Sequence, residues 1–444
     1  VISGGTTQTA PAFTTHPQSQ TVAAGSNVTF TVTVTGSPVP TLQWRRDGTN
    51  LAGATSASLA LTNVQAANAG SYTVVATNAA GSATSNPATL TVTTGGGTSA
   101  PTIVTQPLSL RARTGGVIAL TVAATGNPMY QWRKDGVNIA GATAETLVLE
   151  NVGAAQAGSY TVQVSNAAGS VTSDAATLTV ADGPESAVTN LSVRTSLATG
   201  STLIVGFATT ANRGMLIRGI GPTLSGFGLS GVMEDPRIDL VPQGQSVAVA
   251  SNNDWDAALA PLFTSLGAFP LVAGSKDGAL RREVTGPHSA LVTGTGAGIL
   301  LVEVYDAAAA GTAGRLVNVS ARNRVGTGDN VMIAGFFVAG EVANTLVIRA
   351  VGQRLVDFGV TGVLANPKLE IYETRNGQSV KLAENDNWNA ALQPYADRVG
   401  GFPLLAGSND STLVLSLPPG LYSAVVSGVG ATTGEALVEV YELR

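Results

Sequence analysis

The feature that most constrains this chain is that its sequence contains two different internal repeats, one in each half. Residues 43–48 (Gln-Trp-Arg-Arg-Asp-Gly) recur at 131–136 (Gln-Trp-Arg-Lys-Asp-Gly). Further along, residues 301–305 (Leu-Val-Glu-Val-Tyr) recur unchanged at 437–441. Self-similarity at a fixed spacing indicates duplicated supersecondary units. The sequence therefore predicts two copies of one module followed by two copies of another.

Each copy of the first module has the pattern of short β-strands. Residues 28–34 (Val-Thr-Phe-Thr-Val-Thr-Val) alternate apolar and polar side chains, which predicts a strand with one buried face. Similar runs follow at 58–61, 71–76 and 88–92, separated by Gly, Asn and Pro. Short strands at this spacing are typical of an all-β sandwich.

On these residues, both copies resemble immunoglobulin-like domains of the intermediate-set kind, over 11–93 and 101–181. The family has a Trp on its third strand, which corresponds to Trp44 and Trp132. Its tyrosine corner corresponds to Tyr72 and Tyr160. The family's two disulfide positions map to valines in both copies, namely Val32, Val74, Val122 and Val162. The resemblance thus implies structural roles for the Trp and Tyr residues, with valine packing in place of a bond worth ~2–4 kcal/mol.

The second module occurs at 187–310 and again at 314–444, as short strands with Gly, Pro and Asx turns. One or two helical turns are expected after Trp255 and after Trp388, where Asx residues supply an N-cap. The two copies resemble a tandem β module of large secreted bacterial proteins. The predicted fold class is all-β: two immunoglobulin-like β-sandwiches and two homologous β-rich, sandwich or barrel-like modules. An N-terminal extension at 1–10 and a Gly-rich linker at 94–100 complete the organisation.

Composition excludes several classes of function. The chain has no Cys, which excludes disulfides, thiolate metal sites and Cys nucleophiles. Charged residues are 11% of the chain, the net charge is −5 and the basic residues are scattered. Nucleic-acid binding needs a basic stripe, so no nucleic acid is expected as a partner. No uncharged apolar run reaches the ~18 residues of a membrane span. Val1 is not an initiator Met, so we interpret the chain as a processed form.

No catalytic residue is predicted. The two histidines, His16 and His288, lack acidic neighbours, which argues against a Ser-His-Asp triad. Glu303 and Glu439 lie in the repeated Leu-Val-Glu-Val-Tyr segments, where strand alternation predicts that Glu faces solvent. Because both copies carry the same Glu, a structural role is favoured over a pair of catalytic carboxylates.

Two Asx-rich segments, 252–256 and 384–387, are the ligand candidates. Calcium takes about six to eight oxygens, and Asp254, Asp256 and Asp386 would help to supply them. Asx turns and helix caps use the same residues more often, so caps are favoured and no cofactor is predicted, with calcium as the alternative. Trp255 and Trp388 are predicted to anchor the core, with sugar-stacking platforms as their alternative role.

Tandem β domains of low charge, rich in Thr, Ser, Ala and Gly, are typical of extracellular stalks and fibres. The sequence predicts a non-enzymatic structural or adhesive protein of the bacterial cell surface, self-assembling into an extracellular filament. Each copy would join the next head to tail, through residues 1–12 or an exposed sheet edge. Lys, which commonly protects sheet edges, occurs only four times. The alternatives are a polysaccharide-binding module, with surface glycans as partners, and the non-catalytic tail of a larger secreted enzyme.

Overall fold

A computed structural model describes residues 8–23, 27–62, 64, 68–93, 99–308, 312–405 and 407–444. The chain divides into two compact units. Unit 1 contains Val1–Pro107, Val122–Leu147 and Ser159–Ala175, and unit 2 contains Leu108–Thr121, Val148–Gly158 and Ala176–Arg444. The prediction of an all-β fold is confirmed in both units, because nearly all the regular structure is strand.

The first copy of the first module forms three sheets in unit 1. Its strands are β1 (Thr9–Thr15), β2 (Gln20–Ala23), β3 (Val28–Thr31), β4 (Thr33–Ser37), β5 (Thr41–Arg46), β6 (Thr49–Asn50), β7 (Ser58–Leu61), β8 (Gly70–Asn78), β9 (Gly81–Thr84) and β10 (Ala88–Thr93). The largest sheet has the order β2-β10-β8-β5-β6 with β9 on β8, and β1–β4 and β3–β7 form two smaller sheets.

The structure places the start of this copy slightly earlier than the predicted boundary at residue 11. Strand β1 begins at Thr9 and pairs with β4, and Asn78 Nδ2 donates to the Thr9 carbonyl at 2.8 Å. Residues 9 and 10 of the predicted extension are therefore part of the sandwich. Residues 1–7 of that extension, and residues 94–98 of the predicted linker, lie outside the described residues.

The second copy repeats the same order of strands. They are β11 (Ile103–Thr105), β12 (Leu110–Arg113), β13 (Ile118–Thr121), β14 (Ala123–Ala124), β15 (Met129–Lys134), β16 (Val137–Asn138), β17 (Thr146–Leu149), β18 (Gly158–Asn166), β19 (Gly169–Thr172) and β20 (Ala176–Ala181). The turn between β15 and β16 has positive φ at Asp135 and Gly136, as does the equivalent turn at Asp47 and Gly48. This agrees with the tight turn that Asp-Gly predicts.

The C-terminal part of unit 2 is one sheet of 14 strands. They are β21 (Ala187–Leu197), β22 (Leu203–Ile220), β23 (Pro236–Pro242), β24 (Ala250–Asn252), β25 (Gly278–Gly294), β26 (Gly298–Asp306), β27 (Leu316–Val325), β28 (Met332–Ala339), β29 (Asn344–Val351), β30 (Pro367–Arg375), β31 (Gln378–Asn385), β32 (Ser411–Leu417), β33 (Gly420–Gly428) and β34 (Gly434–Glu442).

Helical structure in the described residues is limited to short segments. The α-helices are α1 (Ala260–Ser265) and α2 (Gln393–Arg398). The 3-10 helices are Ala154–Gln156, Pro222–Phe227, Ala257–Leu259, Gly328–Asn330, Gln353–Phe358, Ala390–Leu392 and Val429–Ala431. The helical turns expected after Trp255 and after Trp388 are present, each as a 3-10 turn that continues into α1 or α2.

The 14-stranded sheet consists of two halves with equivalent strand orders. Half A has the order β31-β30-β33-β28-β21-β26-β22-β25, and half B has the order β24-β23-β25-β22-β27-β34-β29-β32. The long strands β22 and β25 contribute to both halves. Residues 213–220 of β22 and 278–284 of β25 belong to half A, and the remaining part of each strand belongs to half B.

The two repeats exchange strands within this sheet. β21, the first strand of repeat one, pairs with β28 of repeat two, and β27, the first strand of repeat two, pairs with β22 of repeat one. The two repeats therefore share one sheet, because each repeat completes its part of the sheet with a strand of the other. Side chains from both halves, including Phe336 of half A and Val319 of half B, form one buried apolar cluster.

Candidate functional site

The predicted structural Trp and Tyr residues of the immunoglobulin-like copies lie in the core of each copy. Trp44 is fully buried beside Val32 and Val74, and its Nε1 donates to the Ser56 carbonyl at 2.9 Å. The hydroxyl of Tyr72 donates to the Asn68 carbonyl at 2.7 Å, which is the bond of a tyrosine corner. Burial raises the pKa of Tyr72.

The second copy has the same arrangement. Trp132 is fully buried, lies opposite Val162 in the β15–β18 pair, and donates from Nε1 to the Ala144 carbonyl at 3.0 Å. Tyr160 is also buried, as is Val122 at the other predicted disulfide position. Apolar packing around a hydrogen-bonded indole thus occupies the positions where the family has its disulfide.

Trp255 and Trp388 are half-buried in equivalent loops of the C-terminal repeats. Trp255 Nε1 donates to the Val272 carbonyl at 3.2 Å, and its ring lies 5.6 Å from that of Phe263. Trp388 Nε1 donates to the Leu405 carbonyl at 3.0 Å. Both indoles therefore fix a loop against the sheet by their N–H groups, and neither presents a free polar edge.

The Asx segments form caps, turns and one surface ion pair. Asp256 Oδ1 accepts from Ala258 N at 2.9 Å at the start of Ala257–Leu259, and Asn389 caps the equivalent turn in the second repeat. Asp254 pairs with Lys276 at 2.9 Å, and Asp386 accepts from the Asn387 side chain at 3.0 Å. In the described ranges, no group of three or more His, Cys, Asp or Glu side chains is arranged to hold a metal ion.

The repeated Glu residues do not face solvent as predicted. Glu303 is 5% exposed, and the fully buried Arg218 donates to its Oε2 from Nε at 2.8 Å. The guanidinium of Arg218 lies between the rings of Phe263 and Phe269, with its Cζ 4.8 and 4.6 Å from their centroids. The prediction that Glu303 faces solvent is wrong because α1 and the loop that follows it cover this face of β26. Both faces of the strand are therefore buried, and alternation does not identify a solvent-exposed face.

Repeat two contains the same network. Arg349 Nε donates to Glu439 Oε2 at 2.9 Å, and its Nη1 donates to the Phe402 carbonyl at 2.6 Å. The Tyr441 hydroxyl donates to Glu439 Oε1 at 2.6 Å, as Tyr305 does to Glu303 at 3.0 Å. Burial and the adjacent carboxylate raise the pKa of both tyrosines. Each Glu carboxylate is thus held by an Arg and a Tyr side chain, and the same Arg binds the loop that follows the helix.

Sequence reasoning missed two buried aspartates that organise the same loops. Asp277 accepts from Gly221 N at 2.8 Å and from Ser275 Oγ at 2.6 Å. Asp410 accepts from Gly352 N at 2.7 Å and from Ser408 Oγ at 2.8 Å. The sequence feature that could have identified these aspartates is the repeated segment Ala-Gly-Ser-x-Asp, which occurs at 273–277 and at 406–410.

A row of polar residues crosses five strands on the outer face of each half. We name it the polar row. In half B it runs Ser289–Gly206–Ser320–Glu439–Arg349, and in half A it runs Ser423–Gly335–Ser192–Glu303–Arg218. The buried Glu–Arg pair forms one end of each row, and the Ser–Gly–Ser end continues toward the more open surface.

His16 lies in the first immunoglobulin-like copy, and His288 lies in β25 next to Ser289 of the polar row. His16 Nδ1 accepts from Asn86 N at 3.0 Å. The ring of His288 stacks on Phe207 with centroids 6.0 Å apart.

Strand β13 of the second immunoglobulin-like copy lies along β32, the last strand of half B, and both belong to unit 2. Ala119 N donates to Ser416 Oγ at 2.7 Å, and Thr121 Oγ1 donates to the Val414 carbonyl at 3.3 Å. Ala119 is 3% exposed, although it lies on the outward face of its strand. The apolar cluster at this contact also contains Val347 and Leu443. An immunoglobulin strand therefore packs against the last two strands of half B, through side-chain hydrogen bonds and apolar contacts.

Comparison with known families agrees with this geometry over the first part of the chain. Residues 11–92 match the family model of the Immunoglobulin I-set domain, and residues 100–166 match that of the Immunoglobulin domain. The chain carries two immunoglobulin-like domains in tandem. The matched residues end at 166, so the resemblance of 187–444 to a module of secreted bacterial proteins remains an expectation.

The similar proteins come from bacteria and animals. Endoglucanase C of Cellulomonas fimi is 34% identical over 183 residues, which are 39% of this chain and 16% of that protein. Roundabout homolog 1 of Homo sapiens is 32% identical over 163 residues, 33% of this chain and 10% of that protein. Hemicentin-2 of Mus musculus is 35% identical over 166 residues, 35% of this chain and 3% of that protein. The chain thus spans only a small part of each relative.

Solved structures of tandem immunoglobulin domains are also similar. The titin domains Z1Z2 in complex with telethonin are 31% identical, with a TM-score of 0.21, covering 40% of this chain and 100% of that one. The tandem Ig repeats of Dlar are 25% identical, with a TM-score of 0.20, covering 39% of this chain and 98% of that one. Within the described ranges, no helix has the length and apolar character needed to cross a bilayer.

Proposed function

We propose that this chain is a secreted, non-enzymatic structural or adhesive protein of the bacterial cell surface, and that its copies join head to tail into an extracellular filament. The observation that supports assembly is the contact of β13 with β29 and β32, in which an immunoglobulin strand packs against the last strands of the C-terminal sheet. Immunoglobulin-like sandwiches are common in cell-surface domains, which supports the location. The buried and paired state of Glu303 and Glu439 supports a non-catalytic role.

The chain contains a second edge and a second strand that are equivalent to the pair in contact. The segment 278–284 of β25 occupies the position in half A that β32 has in half B. In the part of the chain that the structure describes, this segment pairs on one side only, with β22. Strand β3 of the first immunoglobulin-like copy is the equivalent of β13, and Thr29 and Thr31 on its outward face are exposed.

The proposed filament contact is β3 of one copy against the 278–284 edge of the next. Unpaired sheet edges are preferred positions for strand addition. The edge carries the exposed ion pair Arg281–Glu283 at 2.8 Å, so the threonine hydroxyls of β3 would meet ionised partners. Because the two surfaces differ, the contact is heterologous, and its repetition without closure gives a filament.

The N-terminal residues 1–7 are the second contact that we propose for the same assembly. The sequence predicts a contact through residues 1–12, of which residues 9–12 belong to β1. Deletion of residues 1–7 therefore removes the candidate arm without removing a strand of the sandwich.

Negative-stain microscopy and sedimentation of the full chain at high concentration test the proposal. We expect filaments in the wild type and folded monomers in Thr29→Lys/Thr31→Lys, with unchanged circular dichroism. Thr91→Lys, at an exposed position of β10, is the matched control and should assemble normally. A wild-type protein that stays monomeric at high concentration would contradict the proposal that the chain forms filaments. Filaments formed equally well by the β3 variant, but lost on deletion of 1–7, would assign the contact to the arm.

A second candidate function is polysaccharide binding. The observation that favours it is an open, polar cavity beside the polar row of half B, together with similarity to a part of a bacterial endoglucanase.

A further inference from the structure

A cavity of about 590 Å³ lies on the outer face of half B. Its lining includes Gly206 and Ser320 of the polar row, Asn318 on the same face of β27, and Tyr441 on the neighbouring strand. The segment that follows α2 supplies further lining through Phe402. Hydroxyl and amide groups thus lie beside aromatic rings in an open concave surface, which is the usual composition of a site for a small polar ligand.

One polar group in this cavity lacks a partner. The Nδ2 of Asn318 is buried and has no hydrogen-bond partner among the described residues. In half A the equivalent Asn190 is engaged, because its Oδ1 accepts from Phe337 N at 2.9 Å. Ser192 of half A is engaged in a long contact with the Gly335 carbonyl at 3.4 Å. The Asn190 side chain also hydrogen-bonds Tyr305, whereas the buried Nδ2 of Asn318 has no partner among the described residues. A buried donor without a partner favours a ligand that accepts its hydrogen bond.

The charges around the cavity are balanced within the protein. Glu439 is neutralised by Arg349 at 2.9 Å. Arg398, which also lines the cavity, binds Glu150 at 2.9 Å. Burial raises the pKa of Glu442 to about 7. Among the described lining residues, Glu439 and Arg398 are thus already in ion pairs, and a neutral ligand with several hydroxyl groups matches the amide and hydroxyl groups present.

We propose that this cavity binds a neutral saccharide unit of a polysaccharide. The amide of Asn318 donates to one sugar hydroxyl, the Ser320 hydroxyl bonds a second, and the rings of Tyr441 and Phe402 contact the C–H face of the sugar. The proposal specifies the site for the second candidate function and does not depend on filament formation.

Isothermal titration of the full chain with cellopentaose tests this site, with xylopentaose and chitotetraose as further probes. We expect the wild type to bind at least one probe with a Kd between about 1 μM and 1 mM. Asn318→Ala and Ser320→Ala should each weaken binding about tenfold or more, with unchanged melting. Ser192→Ala, the equivalent position in half A, is the matched control and should bind as the wild type does. Ala208→Trp adds a bulky side chain to the cavity lining and should abolish binding without removing a hydrogen-bonding group.

The titrations distinguish an error in the position of the saccharide site from an error in the second candidate function. If a probe binds the wild type and all three cavity variants equally, the saccharide site lies elsewhere and this proposal is wrong, while polysaccharide binding stands. If no probe binds the wild type at about 10 mM, both the cavity proposal and the second candidate function are rejected. If only the Ser192 variant loses binding, the site belongs to half A.

Discussion

Arg349 and Glu439 face each other across β29 and β34 and form an ion pair that solvent barely reaches. Arg218 and Glu303 form the same pair in the other repeat. Each guanidinium also binds a loop carbonyl and lies against a Phe ring, so the pair connects the sheet to the loop that follows each helix.

Removing one partner of this pair should strongly destabilise the C-terminal sheet. We expect Glu439→Ala to lower the free energy of unfolding by about 3–5 kcal/mol, because it leaves the Arg349 charge buried without its counterion. Urea denaturation followed by circular dichroism measures the change. The exposed pair Arg237–Asp239 is the control, and Asp239→Ala should cost about 0–1 kcal/mol. Equal losses at both positions would mean that burial does not determine the effect.

Loss of Trp44 should unfold the first immunoglobulin-like domain. Trp44→Ala removes a fully buried ring and its hydrogen bond to Ser56, at a cost of about 3–5 kcal/mol. In a calorimetric scan we expect only that domain's transition to shift. Val39→Ala, at a position 87% exposed in the same domain, should leave the scan unchanged. An equal shift of the C-terminal transition in Trp44→Ala would show that the domains unfold together.

Chelation should not alter the melting temperature if the Asx residues act as caps. We propose that the chain needs no metal, so excess EDTA should leave the thermal transition in place. Asp256→Ala should cost about 1 kcal/mol with or without EDTA, because it removes the cap on Ala258 N. A fall of many degrees in EDTA, reversed by calcium, would instead identify Asp254, Asp256 and Asp386 as ligands.

Glu442 should make the stability of unit 2 depend on pH. Burial raises its pKa from 4.5 to about 7 in the folded state, against the opposing effects of Val188 N, Arg315 and Asn344. Between these pH values the folded state binds more protons than the unfolded state, so the free energy of unfolding decreases as the pH rises from about 4.5 to about 7. Denaturation midpoints measured across this range should fall, and Glu442→Gln should reduce the slope.

Glu384 is the control for the sign of this effect. Lys381 and Lys368 lower its pKa to about 2, so its contribution to stability is present above its ordinary pKa of 4.5 and is lost as the pH falls toward 2. Glu384→Gln should therefore leave the slope between pH 4.5 and pH 7 unchanged. An unaltered slope in Glu442→Gln would show that another group titrates in this range.

Much of the fold could be predicted because its signals are local. The period-two pattern of residues 28–34 predicts a strand with Val28 and Phe30 buried, and β3 has that alternation. The pattern does not show that the run is divided between β3 and β4, which pair in different sheets. The positive-φ turn at Asp47 and Gly48 follows from the same kind of local chemistry. For the candidate site, the repeats marked Glu303, Glu439 and the Trp loops as shared features, but they did not show what these residues contact.

The remaining features of the fold and of the candidate site depend on tertiary structure, because they arise from contacts between residues far apart in sequence. Alternation assigns Glu439 to one face of β34, but only the loop at Phe402 determines that this face is buried. A repeat shows that β21 and β27 are equivalent, yet it is equally compatible with two separate sheets and with the exchanged pairing that the chain adopts. Register and partner choice depend on which non-local surfaces cover each strand, and a single strand's sequence does not contain them.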